Sequence, residues 1–319
     1  MVKKIAVLII LLIFASCQKP LYRKKFLILG TYLEVTSADP AAAGIVYQEF
    51  KRLDKIFNLY DPNSEISRLN KTYNQPFKAS AELIEILGLS RQVYDLSKGA
   101  FDVTHGALYQ FWKELISKGA VKSFPAPEAV ARIRELGGVE AIEVDSQTGT
   151  VIVKKKGLII DLSAIAKGYI VDKAIAKLKQ TGIESALINA GGDIYCLGKQ
   201  LGQPWEIGIK DPGQLRDILR TQSLIDEAIA TSGGYEQFFS YQGKDYPHLI
   251  DPRKGYPVDN DLRSVTVITK NCFTADSLAT AFFILGLDGI REFLARVPST
   301  MRIFLVLSKG NQEEVHILR

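Results

Sequence analysis

Asp276 and Thr280 stand four residues apart in CFTADSLATAFFILG (272–286), near the start of an otherwise apolar helical segment. Residues at that spacing share one helix face, so a carboxylate and a hydroxyl aim their oxygens at one point. Hard cations such as Mg²⁺ take oxygen donors of this kind. The competing account is structural, with Thr274 as an N-cap and Asp276 as a first-turn acid stabilised by the helix dipole. On this stretch alone the cap is the commoner explanation.

Four further stretches are polar and glycine-rich where a plain core would not be. In SKGAFDVTHG (97–106), Phe101 beside Asp102 sets a flat apolar ring next to an acceptor, which suits an aromatic ligand. Asp102 as a helix N-cap is the simpler alternative. In IIDLSAIAKGYIVDKAIAKL (159–178), Asp161 ends a strand, and Ala164, Ala166 and Gly168 keep the following helix slim enough for a ligand to approach its backbone. Lys167 at that helix start opposes the dipole, a mild sign of function against the alternative of a solvated surface lysine. LINAGGDIY (187–195) runs a strand into a turn whose N–H groups could face a phosphate, or into a turn of no further use. In ATSGGYEQFFSYQGKDYPHLIDPRKGYP (230–257), His248 falls in a short strand ending at Asp251-Pro252. A histidine three residues from an aspartate is a candidate general base, though a lone histidine is more often structural.

These stretches need a scaffold. The chain has 319 residues, 47% hydrophobic and 24% charged, enough for one large domain or two intimate lobes. A formal charge of +5 is too mild to argue for nucleic acid. Three His and two Met leave few soft ligands for zinc, copper or haem. Cys196 and Cys272 read as small buried residues that could pair in an oxidising compartment. Apolar spacing predicts helices over 41–57, 80–97, 104–117, 164–180, 272–286 and 288–296, with a short one after a Ser64 cap and one starting at Pro127. Strands are expected at 26–37, 140–145, 150–153, 185–189 and 205–209, and in RIFLVLS and EEVHILR at the C-terminus. There is no regular βαβ alternation, so the fold class is α+β.

The N-terminus reads MVKKIAVLIILLIFASCQKP: a basic pair, ten apolar residues, then Ala15-Ser16-Cys17. The apolar run is too short to span a bilayer and fits a signal peptide. It resembles a bacterial lipoprotein signal, with Cys17 lipidated, residues 1–17 as the signal, 18–25 as a polar tether and 26–319 as the folded domain. A plain secretory signal is the alternative. Both place the mature chain outside the cytoplasm.

Taken in order, LGTYLEV, YDPNSEISRLN, GAFDVT, DLSAIAKGYIVDKA, NAGGDIY, WEIGIKDP, ATSGGYEQFF, HLIDPRKGYPV, SVTVI and TADSLATAFFILG resemble the ApbE family of FAD:protein FMN transferases, across residues 29–286. The resemblance implies two intimately packed lobes of helices and mostly antiparallel sheets, with the ligand between them. It implies an enzyme that uses Mg²⁺, cleaves FAD, attaches FMN to a Thr or Ser of an acceptor protein and releases AMP. Matched by motif, the metal falls to the Ala164 carbonyl, Asp276 and Thr280. FAD falls to Leu29, Tyr60, Ala100, Phe101, Asp102, Asp161, Lys167 and Ile250, and base catalysis to His248. The acceptor would be a subunit of a membrane electron-transport complex, met in the periplasm by a lipid-anchored enzyme. Three departures stand out: Leu29 replaces the usual Met, Ser163-Ala164 replaces Gly-Gly or Gly-Ala, and THGAL brings in His105. The rival functions are an FAD pyrophosphatase, a non-enzymatic FAD-binding lipoprotein and a ligand-free scaffold.

Overall fold

The computed structural model describes residues 20–318 other than 120, 122, 214–216, 236, 298–299 and 310–311. The signal and Cys17 lie outside the described residues. The first elements are two strands, β1 (Tyr22–Ile28) and β2 (Thr31–Ser37), where alternation alone predicts one over 26–37. They form a hairpin closed by Leu29 and Gly30, both left-handed at φ 55° and 68°. Two positive-φ residues match the twist of a tight hairpin. Gly30 is the one turn residue of the pair, and with leucine before it the sequence pattern runs the strands together. Residues 22–25, expected in the tether, belong to β1.

Four helices follow with one short strand among them: α1 (Ala42–Phe57), α2 (Glu65–Leu69), β3 (Pro76–Lys78), α3 (Ala81–Leu96) and α4 (Gly106–Ser117). Ser64 caps α2 as expected, its hydroxyl accepting the N–H of Ser67, and Pro127 opens α5 (Pro127–Arg134). Strands β4 (Ile142–Asp145) and β5 (Thr150–Val153) join β3 in a small sheet ordered β3-β5-β4. Next come α6 (Ala166–Gln180), β6 (Ala186–Ala190), β7 (Asp193–Leu197), the hairpin β8 (Trp205–Lys210) with β9 (Ile218–Leu224), and β10 (Glu227–Gly233). The last third holds β11 (Phe238–Tyr241), β12 (Lys244–Pro247), β13 (Ile250–Asp251), β14 (Tyr256–Pro257), β15 (Leu262–Thr269), α7 (Cys272–Arg296), β16 (Arg302–Lys309) and β17 (Gln312–Leu318). Helix α7 breaks at Gly286 (φ 71°, ψ 176°), the point where the sequence expects one helix to end and another to follow.

The principal sheet is antiparallel throughout, ordered β1-β2-β6-β7-β10-β15-β16-β17. Its strands alternate, and each face has its own core. On one face Leu33, Val35, Ala230 and Val267 pack with α1, α6 and α7. On the other, Ile194, Ile229, Ile268 and Phe304 pack with Trp205, Ile207 and Leu224 of the β8–β9 hairpin. Cys272 lies in the first core and Cys196 in the second; both are buried and neither is in a disulfide. A third, aromatic cluster joins α4 and α5 to the β11–β12 hairpin through Trp112, Phe124, Phe239 and Tyr246. This α+β architecture sets the β6–β7 turn, the starts of α6 and α7 and the end of β10 around one cleft.

Candidate functional site

The cleft has a volume of about 760 Å³. Leu29, Tyr60, Ala100, Phe101, Asp102, Asp161, Ala164, Lys167, His248, Ile250, Asp276 and Thr280 all line it. The motifs that carry them are spread over some 250 positions of sequence, and the fold brings them to one surface.

At its floor two helix N-termini meet. Asn271, not Thr274, caps α7: its side-chain oxygen accepts the N–H of Thr274 at 2.9 Å. Asp276 therefore lies in the second turn, beyond the orphan amides of its own helix, and the cap reading fails. Its Oδ2 instead accepts the N–H of Gly168, in the first turn of α6, at 3.0 Å. Oδ1 makes no hydrogen bond to the described residues. A side chain at Gly168 would sit 2.5 Å from the Cys272 carbonyl oxygen, so only glycine lets the two helices approach this closely.

Lys167 forms an ion pair with Asp193 and lies 3.9 Å from Asp276 Oδ2. This explains a cation at a helix start: two carboxylates outweigh the dipole. Burial works against the charge on Lys167, but Asp193 and Asp276 overcome it and hold its pKa above the usual lysine range. Burial, then the charge of Asp193, raises Asp276, while Lys167 and the Gly168 amide act the other way. Thr280 shares a hydrogen bond with Ser232 of β10 at 3.2 Å, and the neighbouring Thr231 pairs with Thr266 at 2.8 Å. In the β6–β7 turn the Gly192 N–H donates to the Asn189 side chain at 2.9 Å, so one of the amides expected to face a phosphate is occupied.

Asp102 does not cap a helix. Its Oδ1 accepts both the N–H and the hydroxyl of Thr104, at 2.8 and 2.7 Å, in a tight turn ahead of α4. His105 stands at the N-cap position of α4 without a capping bond, its Nδ1 buried 3.1 Å from Asp102 Oδ2 but outside hydrogen-bond geometry. Asp161 follows an isolated bridge between His105 and Ile159 rather than a full strand. Its Oδ1 accepts the N–H of Ser163 at 2.9 Å. Tyr60 is 66% exposed at the rim, with the Lys113 ammonium 4.6 Å from its ring centre.

His248 sits in a bend between β12 and β13, not within a strand. Asp251, its neighbour in sequence, is engaged by Arg253 at 2.9 and 2.8 Å and does not orient it. The Gln237 carbonyl does. It accepts the backbone N–H of His248 at 2.9 Å and lies 3.2 Å from Nδ1. With Nδ1–H donating there, Nε2 keeps its lone pair. Burial lowers the pKa of His248 below its ordinary 6.5.

Three participants were not singled out in the sequence. Asp193 had a signal, since it ends NAGGD; Lys113 and Gln237 had none, because their roles depend on Tyr60 and His248, each more than ten positions away.

Among the described residues, no group of three or more His, Cys, Asp or Glu side chains is arranged to hold a metal. A carbonyl, a carboxylate and a hydroxyl form a different donor set, made wholly of hard oxygens. Asp193 and Asp276 face the single ammonium of Lys167, which leaves local negative charge, and Asp276 keeps one oxygen unbonded. These residues fit a hard cation.

The sequence pattern of the ApbE family matches residues 29–305. An FAD:protein FMN transferase of Haemophilus influenzae is 31% identical over 268 residues, 82% of this chain and 77% of its own. One of Vibrio cholerae is 33% identical over 290 residues, 86% of this chain and 85% of its own. The crystal structure of the ApbE protein from Thermotoga maritima superposes with a TM-score of 0.81 at 30% identity, covering 92% of this chain and 96% of that one. Pattern, sequence and fold agree across nearly the whole described chain: it belongs to the ApbE family.

Proposed function

We propose that this protein is an FAD:protein FMN transferase that binds FAD between two intimately packed lobes, one built on the principal sheet with α6 and α7, the other on α4, α5 and the β11–β12 hairpin. The observation that carries the reading is the convergence on one cleft of twelve residues from separate motifs. Its volume suits a ligand of cofactor size. Phe101, Ala100, Leu29 and Ile250 offer the apolar surface an isoalloxazine needs, and Asp102 and Asp161 offer acceptors. The Ala164 carbonyl, Asp276 and Thr280 would hold Mg²⁺, which supplies charge stabilisation at the pyrophosphate.

In the proposed reaction a Thr or Ser hydroxyl of the acceptor attacks the phosphorus of the FMN half. A new P–O bond forms, the bond to the AMP phosphate breaks, and AMP leaves. His248 Nε2 takes the hydroxyl proton, a role suited to a ring that burial keeps neutral near pH 7. Lys167, held by Asp193, places a fixed positive charge beside the phosphates. Lipidation at Cys17 would hold the enzyme to a membrane on the periplasmic side, within reach of an electron-transport subunit as acceptor. No helix among the described residues is long and apolar enough to cross a membrane.

The test is incubation of purified protein with FAD, Mg²⁺ and candidate acceptor proteins, reading the acceptor by mass spectrometry. A covalent FMN adduct is expected. Rapid AMP release without an acceptor would instead favour an FAD pyrophosphatase, and FAD bound intact under both conditions would favour a storage lipoprotein.

A further inference from the structure

Helices α6 and α7 cap one another. Asp172 of α6 accepts the N–H of Cys272 on Oδ1 and of Phe273 on Oδ2, both at 2.8 Å. Asp276 of α7 accepts the N–H of Gly168 of α6 at 3.0 Å. Within each helix, donor and acid are four residues apart, Gly168 with Asp172 and Cys272 with Asp276. Each helix thus supplies the carboxylate that satisfies first-turn amides of the other. Asn271 closes the remaining early donor of α7, at Thr274.

We propose that Asp172 is a positioning residue for the transfer reaction: by seating the first turn of α7 on α6, it sets where Asp276 and Thr280 stand relative to the Ala164 carbonyl, and so sets the affinity for the divalent cation. The proposal rests on the reading of Asp276 as a cation ligand. Two amide bonds to one carboxylate fix both the rotation and the axial position of the α7 start. Asp276 lies about one turn, or 6 Å, further along the same rigid rod. The contact has no slack, because a single added carbon at Gly168 would press on the Cys272 carbonyl at 2.5 Å and on the Asp276 Cβ at 2.9 Å. A slide or twist of α7 would break the Asp172 pair and the Gly168 bond together. Asp172 does not line the cleft, so it acts through Asp276 rather than on the substrate.

The experiment titrates Mg²⁺ into the FAD-loaded full chain by calorimetry, without acceptor, and records thermal melts in parallel. Asp172→Asn, which keeps only one acceptor oxygen, should weaken Mg²⁺ binding by about tenfold or more, as outer-shell changes at metal sites typically do. Asn271→Ala removes the neighbouring cap of the same helix; it should lower the melting temperature yet leave the Mg²⁺ affinity within about twofold of wild type. Unchanged affinity in Asp172→Asn, or equal weakening in both variants, would reduce Asp172 to a stabilising cap and overturn the proposal. Should Asp172→Asn not fold, Asp172→Glu keeps both oxygens on a longer stem. It should displace α7 and weaken Mg²⁺ binding, and wild-type affinity there overturns the proposal equally. Wild-type protein that takes FAD but no Mg²⁺ would sink the ligand assignment itself, a separate result that removes this proposal with it.

Discussion

The amide of Gly168 donates to the carboxylate of Asp276 at 3.0 Å, across the junction of two helices whose sequences lie 108 positions apart. That bond turns an acid which looks like a local cap into a shared fixture of the site. It makes Gly168 indispensable: Gly168→Ala must force the helices apart. Overpacking of this kind costs about 1–3 kcal/mol. A lowered melting temperature and reduced FMN transfer are expected together, and an unperturbed melt would show that the junction can relax.

Asp276→Ala should reduce transfer below about a thousandth of wild type, a loss at or beyond the upper range for one electrostatic group. Chelation of Mg²⁺ should abolish wild-type transfer in the same assay. Substantial AMP production by the variant in excess Mg²⁺ would remove Asp276 from the ligand set.

His248→Ala should leave FAD bound and slow transfer by about 10²–10⁴-fold. Because burial lowers the folded pKa beneath 6.5, the neutral base persists at neutral pH, and the rate should fall on the acid side only below 6.5. The same sign governs stability. The contribution of the neutral ring is complete above pH 6.5 and is lost as pH drops through the lowered folded value. Single-turnover rates against pH should show the acid limb in wild type and not in His248→Ala.

Leu29 occupies the left-handed region at φ 55°, where a side chain is strained by about 1–2 kcal/mol. Leu29→Gly relieves that strain, and part of the gain is offset by the greater freedom of glycine in the unfolded chain. Leu29 is also half-buried against the principal core, so the variant should melt no higher than wild type and bind FAD more weakly, having lost an apolar contact with the cleft. Tighter FAD binding would show that Leu29 obstructs the ligand.

Cys196 and Cys272 occupy different cores on opposite faces of the sheet, and burial raises both thiols above the usual range. A thiol reagent should modify neither until the chain is denatured, and reductant should leave the melting temperature unchanged. A difference between oxidised and reduced melts would contradict this placement.

Local signals served the sequence reading well. Ser64 and Pro127 mark helix starts through chemistry confined to one turn, and Gly286 marks a break through its own backbone. The motifs around Phe101, Lys167 and Asp276 could be picked out, but only the fold shows that they share a cleft. What escaped is relational. Leu29 takes the first place of a two-residue hairpin where Asn, Asp or Gly is usual, so Gly30 alone marks the turn. Asp172 and Cys272 are 100 positions apart, Lys167 and Asp193 26, and neither pairing leaves a periodic trace. Asp102 and Asp276 resemble caps because an acid near a helix start is most often one; Asp102 instead closes a local turn on Thr104, and Asp276 is turned to Gly168 by a contact no single stretch contains.

The eight strands of the principal sheet lie side by side in the same succession in which they occur along the chain, from β1 to β17. A polypeptide emerging N-terminus first can therefore extend the sheet at one growing border, each new strand meeting a neighbour already synthesised. No strand has to be threaded between two others that have closed. Vectorial delivery, from a ribosome or through a translocation pore, is matched by the build order of this sheet.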